Sequence, residues 1–172
     1  IIEPLSVDEA YLDGTHCQKC SGSATWIAQE IRQAIFDEVH LTASAGVAPL
    51  KFLAKIASDM NKPNGQFVIK PNEVSEFIKT LSLNKIPGVG KVTSQRLLNM
   101  GLKTCADIQN FDLIVLLNQF GKAGKRIWDF SHGIDDREIQ AHRERKSIGV
   151  ERTLSENIRH LKQGVALLDN IY

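Results

Sequence analysis

Cysteine, long apolar runs and early positive charge are all scarce in this 172-residue sequence, and each scarcity removes a class of protein. Three cysteines, an odd number, do not make a disulfide framework. His16-Cys17-Gln18-Lys19-Cys20 offers a Cys-x-x-Cys pair beside a histidine, but a structural zinc site takes four ligands and the only other cysteine, Cys105, lies far off in a helical stretch. The segment reads as a metal-free loop. No apolar run approaches the roughly 18 residues of a membrane-spanning helix, and no basic segment followed by an apolar one opens the chain. The expectation is a monomeric cytoplasmic protein with no membrane partner. Charge of one sign is missing locally. Before Lys19 the charged residues are all acids, Glu3, Asp8, Glu9 and Asp13, whereas 82–103 and 113–128 contain bases and no acid. The formal net charge of +1 hides this segregation, which is the asymmetry expected where a metal-binding half meets a polyanion-binding half.

With 42% hydrophobic residues there is enough apolar material for a real core, and the length suits one or two domains. The first residue is Ile and strand-like sequence begins at once, so the chain reads as an excerpt from a longer one. Within Ser6-Val7-Asp8-Glu9-Ala10-Tyr11-Leu12-Asp13 two adjacent carboxylates lie between short apolar runs. Neighbouring side chains on a flat strand point to opposite faces, so Asp8 and Glu9 share a site only if the chain turns there. The flanks predict a tight hairpin with both acids at its tip. Clustered acidic oxygens suit Mg²⁺, which is held by one or two carboxylates plus substrate phosphates; a solvated acidic loop is the alternative.

The remaining chain divides at Pro71. Ser23 can cap a core-facing helix carrying Ile27, Ile31, Ile35 and Val39; 41–48 predicts a buried strand, Lys51 to Asn61 a helix with Phe52, Leu53, Ile56 and Ala57 on one side and Lys51 and Lys55 on the other, and 66–69 a last short strand. This is an α+β layer, an antiparallel sheet with helices on one face. From residue 72 short helices follow one another, with Gly101, Gly121 and Gly133 where C-terminal caps belong and Thr104 and Asp112 where N-caps belong. At the centre of this small all-helical domain is Ile86-Pro87-Gly88-Val89-Gly90-Lys91. Glycines there let backbone N–H groups approach a phosphate at the positive end of the next helix, as in a helix-hairpin-helix grip on nucleic acid backbone; an ordinary interhelical turn is the alternative, and the acid-free basic flank favours binding. From 136 to 146 the chain reads as a linker, after which 147–153 predicts a strand and Ser155 can cap a helix running to Tyr172.

Ser6 to Asp13, Ser-Ala-Gly-Val-Ala at 44–48, Lys-Phe-Leu-Ala-Lys-Ile-Ala-Ser-Asp-Met-Asn-Lys-Pro-Asn-Gly at 51–65, Ile-Pro-Gly-Val-Gly-Lys at 86–91 and Arg-Lys-Ser-Ile-Gly-Val-Glu-Arg-Thr at 145–153 together resemble the Y-family translesion DNA polymerases of bacteria. Five motifs in the right order over nearly the whole chain make the likeness specific. It implies a later part of the palm over 1–70, a thumb with the helix-hairpin-helix over 71–135, the linker 136–146, and the start of the little finger domain over 147–172. It further implies a DNA-directed DNA polymerase that transfers a nucleotide from a dNTP to the 3′-hydroxyl of primer-template DNA with two Mg²⁺ ions. Asp8 would bridge both ions and Glu9 help hold the one near the primer end. Lys62 would reach the nucleotide's triphosphate, while Gly88, Val89, Gly90, Lys91 and, in the linker, Lys146 would meet DNA. The family's first metal-binding Asp, its fingers domain and its C-terminal region for a sliding clamp would lie outside this sequence, which by itself is not expected to polymerise. After Asp13 the sequence departs from the pattern with Gly14 and His16, which would loosen the end of the second palm strand. A reading from a different class is a non-catalytic helix-hairpin-helix module that binds DNA and uses its acids structurally.

Overall fold

The computed structural model describes residues 1–142, 149, 153, 154 and 156–168. The first 141 residues make one compact unit and the residues from His142 onward a second. In the first, β1 (Ile2–Pro4) and β2 (Ala10–Leu12) form an antiparallel hairpin in which Glu3 faces Tyr11 across the strands. The backbone N–H groups of Leu5 and Ser6 both donate to the Glu9 carbonyl, at 2.8 and 3.2 Å, closing a five-residue loop. The turn predicted around the two acids is therefore present. Past Leu12 the Asp13 N–H still donates across the hairpin to the Ile1 carbonyl at 2.9 Å, while its side chain accepts from the Thr15 N–H (2.9 Å) and hydroxyl (2.6 Å).

Helix α1 (Ala24–Val39) starts where Ser23 accepts from the Trp26 N–H and ends at a left-handed His40. It was expected to face the core, yet none of its residues is fully buried and Ile27, Ile31 and Ile35 form only a half-buried stripe. The reason is what covers it, chiefly β3 (Ala45–Val47) with some help from β4 (Gln66–Val68). Those two strands are joined through α2 (Lys51–Met60) and pair in parallel, Ala45 with Gln66 and Val47 with Val68. The antiparallel arrangement expected throughout the sheet thus holds for β1 and β2 only. A helix that carries the chain back along the strands before β4 begins returns it in the same direction, which a tight turn cannot do.

Gly46 lets α2 lie directly on β3. A Cβ there would sit 2.1 Å from the Ala54 carbonyl oxygen and 2.3 Å from the Ser58 nitrogen. Phe52, Leu53, Ile56 and Ala57 of α2 are buried, as their spacing predicts. Their core continues through Ile69 and Ile78 into the helical part of the unit. There α3 (Val74–Thr80), α4 (Lys91–Asn99), α5 (Cys105–Gln109), α6 (Leu113–Phe120) and α7 (Lys122–Ser131) bury Leu97, Ile108, Leu116, Ile127 and Phe130 in the same cluster. The rings of Phe52 and Phe130 stack with centroids 4.3 Å apart. Thr104 and Asp112 cap α5 and α6, and Gly101, Gly121 and Gly133 have positive φ, all as predicted.

The chain then returns to α2. Leu50 gives that helix no side-chain cap, and the carboxylate of Asp135, 83 positions away, accepts instead from the Phe52 N–H at 2.8 Å. Arg137 donates twice to the same carboxylate, at 2.6 and 2.8 Å, and lies over the Phe130 ring. In the second unit α8 (Leu161–Leu168) begins five residues later than a helix capped by Ser155 would. Residues 156–160 lead into it as loop, with the Gln163 side chain taking up the Arg159 N–H at 3.1 Å. Lys146 and all but two residues of the strand predicted over 147–153 lie outside the described residues.

Candidate functional site

The hairpin loop and the lysine-bearing face of α2 come together. Asp8 is exposed and its Oδ1 accepts from the Ser6 hydroxyl at 2.7 Å; Glu9 is half-buried and its Oε2 accepts from the Lys55 ammonium at 2.7 Å. The Ser6 hydroxyl and Asp8's own backbone N–H hold the Asp8 carboxyl below the usual carboxylate range. Slight desolvation opposes this, and the positive fields of Lys62 and Lys55 add to it. Lys62, just past the end of α2, pairs with Asp59 at 2.6 Å. That pair raises its pKa first, and Glu9 and Asp8 contribute further from across the gap. Two acids from the hairpin, Lys55 of α2 and Lys62 just past its end therefore feel one another.

Lys51 and Lys55 were expected on the outer face of α2, and here the sequence reading missed their role. Four residues apart on a helix, they share a face, and that face meets the hairpin, Lys51 against Glu3 at 2.5 Å and Lys55 against Glu9. The signal was present in the sequence. With no base before Lys19, any counter-charge for the acid cluster has to come from another element.

Among the described residues no group of three or more His, Cys, Asp and Glu side chains is placed to hold a metal ion. The donors present nevertheless fit magnesium. Asp8 and Glu9 are neighbouring hard oxygen donors, Glu9 Oε1 has no hydrogen-bond partner among the described residues, and Mg²⁺ characteristically takes only one or two carboxylates and completes its shell with water and phosphate.

Away from the hairpin, Ile86 to Gly90 form the predicted turn before α4. Gly88 has φ +91°, which side chains rarely adopt, and the Val89 N–H returns to the Ile86 carbonyl at 3.0 Å. Gly90 is the N-cap of α4, with no side-chain acceptor on the first N–H groups, and a Cβ there would meet nothing within 4 Å. Internal packing therefore does not demand glycine at 90. Beside it the Arg126 guanidinium of α7 covers Gly88, with Nη2 2.8 Å from where a Cβ would be. Among the described residues Arg126 has no carboxylate partner, and neither has Lys91. The acid-free block 113–128 had marked Arg126 as basic; only the fold puts it on the hairpin.

Comparison with known proteins bears on the same segments. A model described as the impB/mucB/samB family matches residues 1–59, and one described as the thumb domain of DNA polymerase-iota matches residues 84–135. DNA polymerase IV of Mannheimia succiniciproducens is 71% identical over 99% of this chain and 48% of its own length, and that of Pasteurella multocida is 66% identical over 100% and 48%. The chain thus spans about half the length of the curated relatives it matches. Among solved structures, DinB from Sulfolobus solfataricus superposes with a TM-score of 0.75 at 36% identity, covering 81% of this chain and 42% of that one. A Y-family DNA polymerase chimera gives 0.77 at 35%, over 83% and 42%. With both ends of its first unit matched by family models and its full length by bacterial polymerase sequences, the chain belongs to the Y family of DNA polymerases.

Proposed function

We propose that this chain supplies two metal-binding carboxylates and the DNA-gripping thumb of a translesion DNA polymerase, which joins a deoxynucleoside triphosphate to a primer 3′-hydroxyl with loss of pyrophosphate. The observation that carries the reading is the contact of Glu9 with Lys55 of α2, with Asp8 and Lys62 near enough for their charges to act on one another. Asp8 and Glu9 would hold magnesium. When bound, the ions would offset charge on the attacking and leaving oxygens. Lys62 is a point charge on a flexible stem, suited to triphosphate oxygens, and its pairing with Asp59 keeps it near the acids while fully charged. The chain's own contribution is positioning and electrostatics, with no covalent step.

The thumb reading rests on Gly88 to Lys91 and Arg126, where an α4 N-terminus without a side-chain cap and two cations with no carboxylate partner among the described residues suit backbone phosphates without reading bases. Palm and thumb over 1–70 and 71–135 are functional divisions within the one compact unit. In a complete polymerase carrying this chain, Asp8→Asn is expected to cut incorporation on the order of 10²–10³-fold with DNA affinity retained. Incorporation at the wild-type rate at ordinary Mg²⁺ would leave only the non-catalytic DNA-binding module. Arg126→Ala is expected to weaken primer-template binding several-fold at low salt and to flatten the log–log salt dependence by about 0.9 for one lost phosphate contact. An unchanged salt slope would remove Arg126 from the interface.

A further inference from the structure

We propose that Lys55 is a positioning residue that competes with a divalent cation for Glu9, so that metal alone is held weakly and is favoured when it arrives with a phosphate able to take over the lysine. The inference rests on the reading of Asp8 and Glu9 as metal-binding.

It comes from a contrast between two ion pairs made by one helix face. Lys51 and Glu3 are almost fully enclosed, with 8% and 14% of their side chains exposed. Each also has other partners. Glu3 Oε2 accepts from the Gln140 N–H at 2.8 Å, Lys51 donates to the Glu138 carbonyl at 3.0 Å, and its ammonium lies 5.0 Å from the centre of the Tyr11 ring. That pair is a fixed structural joint between β1, α2 and the returning chain.

Lys55 and Glu9 sit one helical turn on and are built differently. Their side chains are 29% and 38% exposed, and among the described residues neither charged group has any other hydrogen bond. An ion pair this open is worth little and is readily exchanged. A divalent ion bound through either oxygen of the Glu9 carboxylate would lie a few ångströms from the ammonium on Oε2, where like charges repel, so the two cannot share the carboxylate without cost. The lysine stem is long and rotatable. When a metal comes with a triphosphate, the displaced ammonium gains an anionic partner; when metal comes alone, it gains none. Metal and nucleotide binding are thereby coupled, each favouring the other.

The test is a Mn²⁺ titration of a complete polymerase carrying this chain, with free Mn²⁺ followed by electron paramagnetic resonance in the absence of nucleotide. Lys55→Met is expected to bind Mn²⁺ roughly three- to tenfold more tightly than the unaltered chain, and Lys55→Arg, which keeps the charge, to match it. Lys55→Gln is expected to tighten binding as methionine does, which covers the case where methionine disturbs α2. Binding that is equal or weaker when the charge is removed overturns the competition and leaves Lys55 a structural residue. Asp8→Asn is the separate arm. If it does not weaken Mn²⁺ binding, the metal reading of the hairpin falls and the inference with it, whereas an effect at Asp8 with none at Lys55 removes the inference alone.

Discussion

Replacing Gly46 by alanine is expected to destabilise the first unit by about 3 kcal/mol, at the upper end of what inserting a methyl into a packed interior costs, read as a fall in the urea midpoint with an unchanged slope. The added carbon would lie 2.1 Å from the Ala54 oxygen and 2.3 Å from the Ser58 nitrogen. Both atoms belong to the α2 backbone and cannot rotate aside as a side-chain tip would. The strand and the helix must separate along their length, opening the layer that holds Phe52, Leu53 and Ile56. Separation also draws Lys51 and Lys55 away from Glu3 and Glu9, so loss of stability and loss of the site's geometry should appear together. Gly14 is the control, because a Cβ there meets nothing within 4 Å, and Gly14→Ala should leave the midpoint within experimental error. Equal behaviour of the two variants would show that α2 does not seat on Gly46.

Asp135→Ala is expected to cost about 2–4 kcal/mol at neutral pH, since it strips a buried N–H and an arginine of their shared acceptor. The Asp135 side chain is 1% exposed and carries the N-terminal cap of α2 together with both Arg137 bonds. Burial pushes its pKa up, but the Arg137 bonds and charge and the Phe52 N–H outweigh burial, and the net shift is downward. The sign of the pH dependence follows. A carboxylate with a depressed folded pKa contributes its full stabilisation above the unfolded value, near 3.9, and loses it as pH falls through the lower folded value. The gap in urea midpoint between wild type and variant should therefore be full at pH 6 to 7 and close progressively below about pH 4. A gap that is constant with pH would mean that Asp135 stabilises by packing and not by charge.

Much of the architecture was legible in local sequence because local chemistry decides it. Ser23, Thr104 and Asp112 cap helices and Gly101, Gly121 and Gly133 follow them, since capping depends on residues within one turn. The turn at Asp8 and Glu9 was predicted because adjacent acids cannot share a side of a flat strand, and the Gly88 turn because glycines punctuate the chain between two helical stretches, one of them proving to have a φ that excludes most side chains. The burial of α2 followed from periodicity.

Other features were set by contacts that no window of sequence contains. Strand direction in β3 and β4 depended on the path taken through α2, and the shallow burial of α1 on what lay above it. The cap on α2 comes from Asp135, the counter-charges for Glu3 and Glu9 from a helix more than 40 residues on, and the cation over Gly88 from α7. Charge pairing acts through space and is indifferent to the length of chain between partners. The residue types that could meet were thus written into the sequence, while the choice of which acid meets which base was made by the packing of α2 on Gly46 and of Phe52 on Phe130.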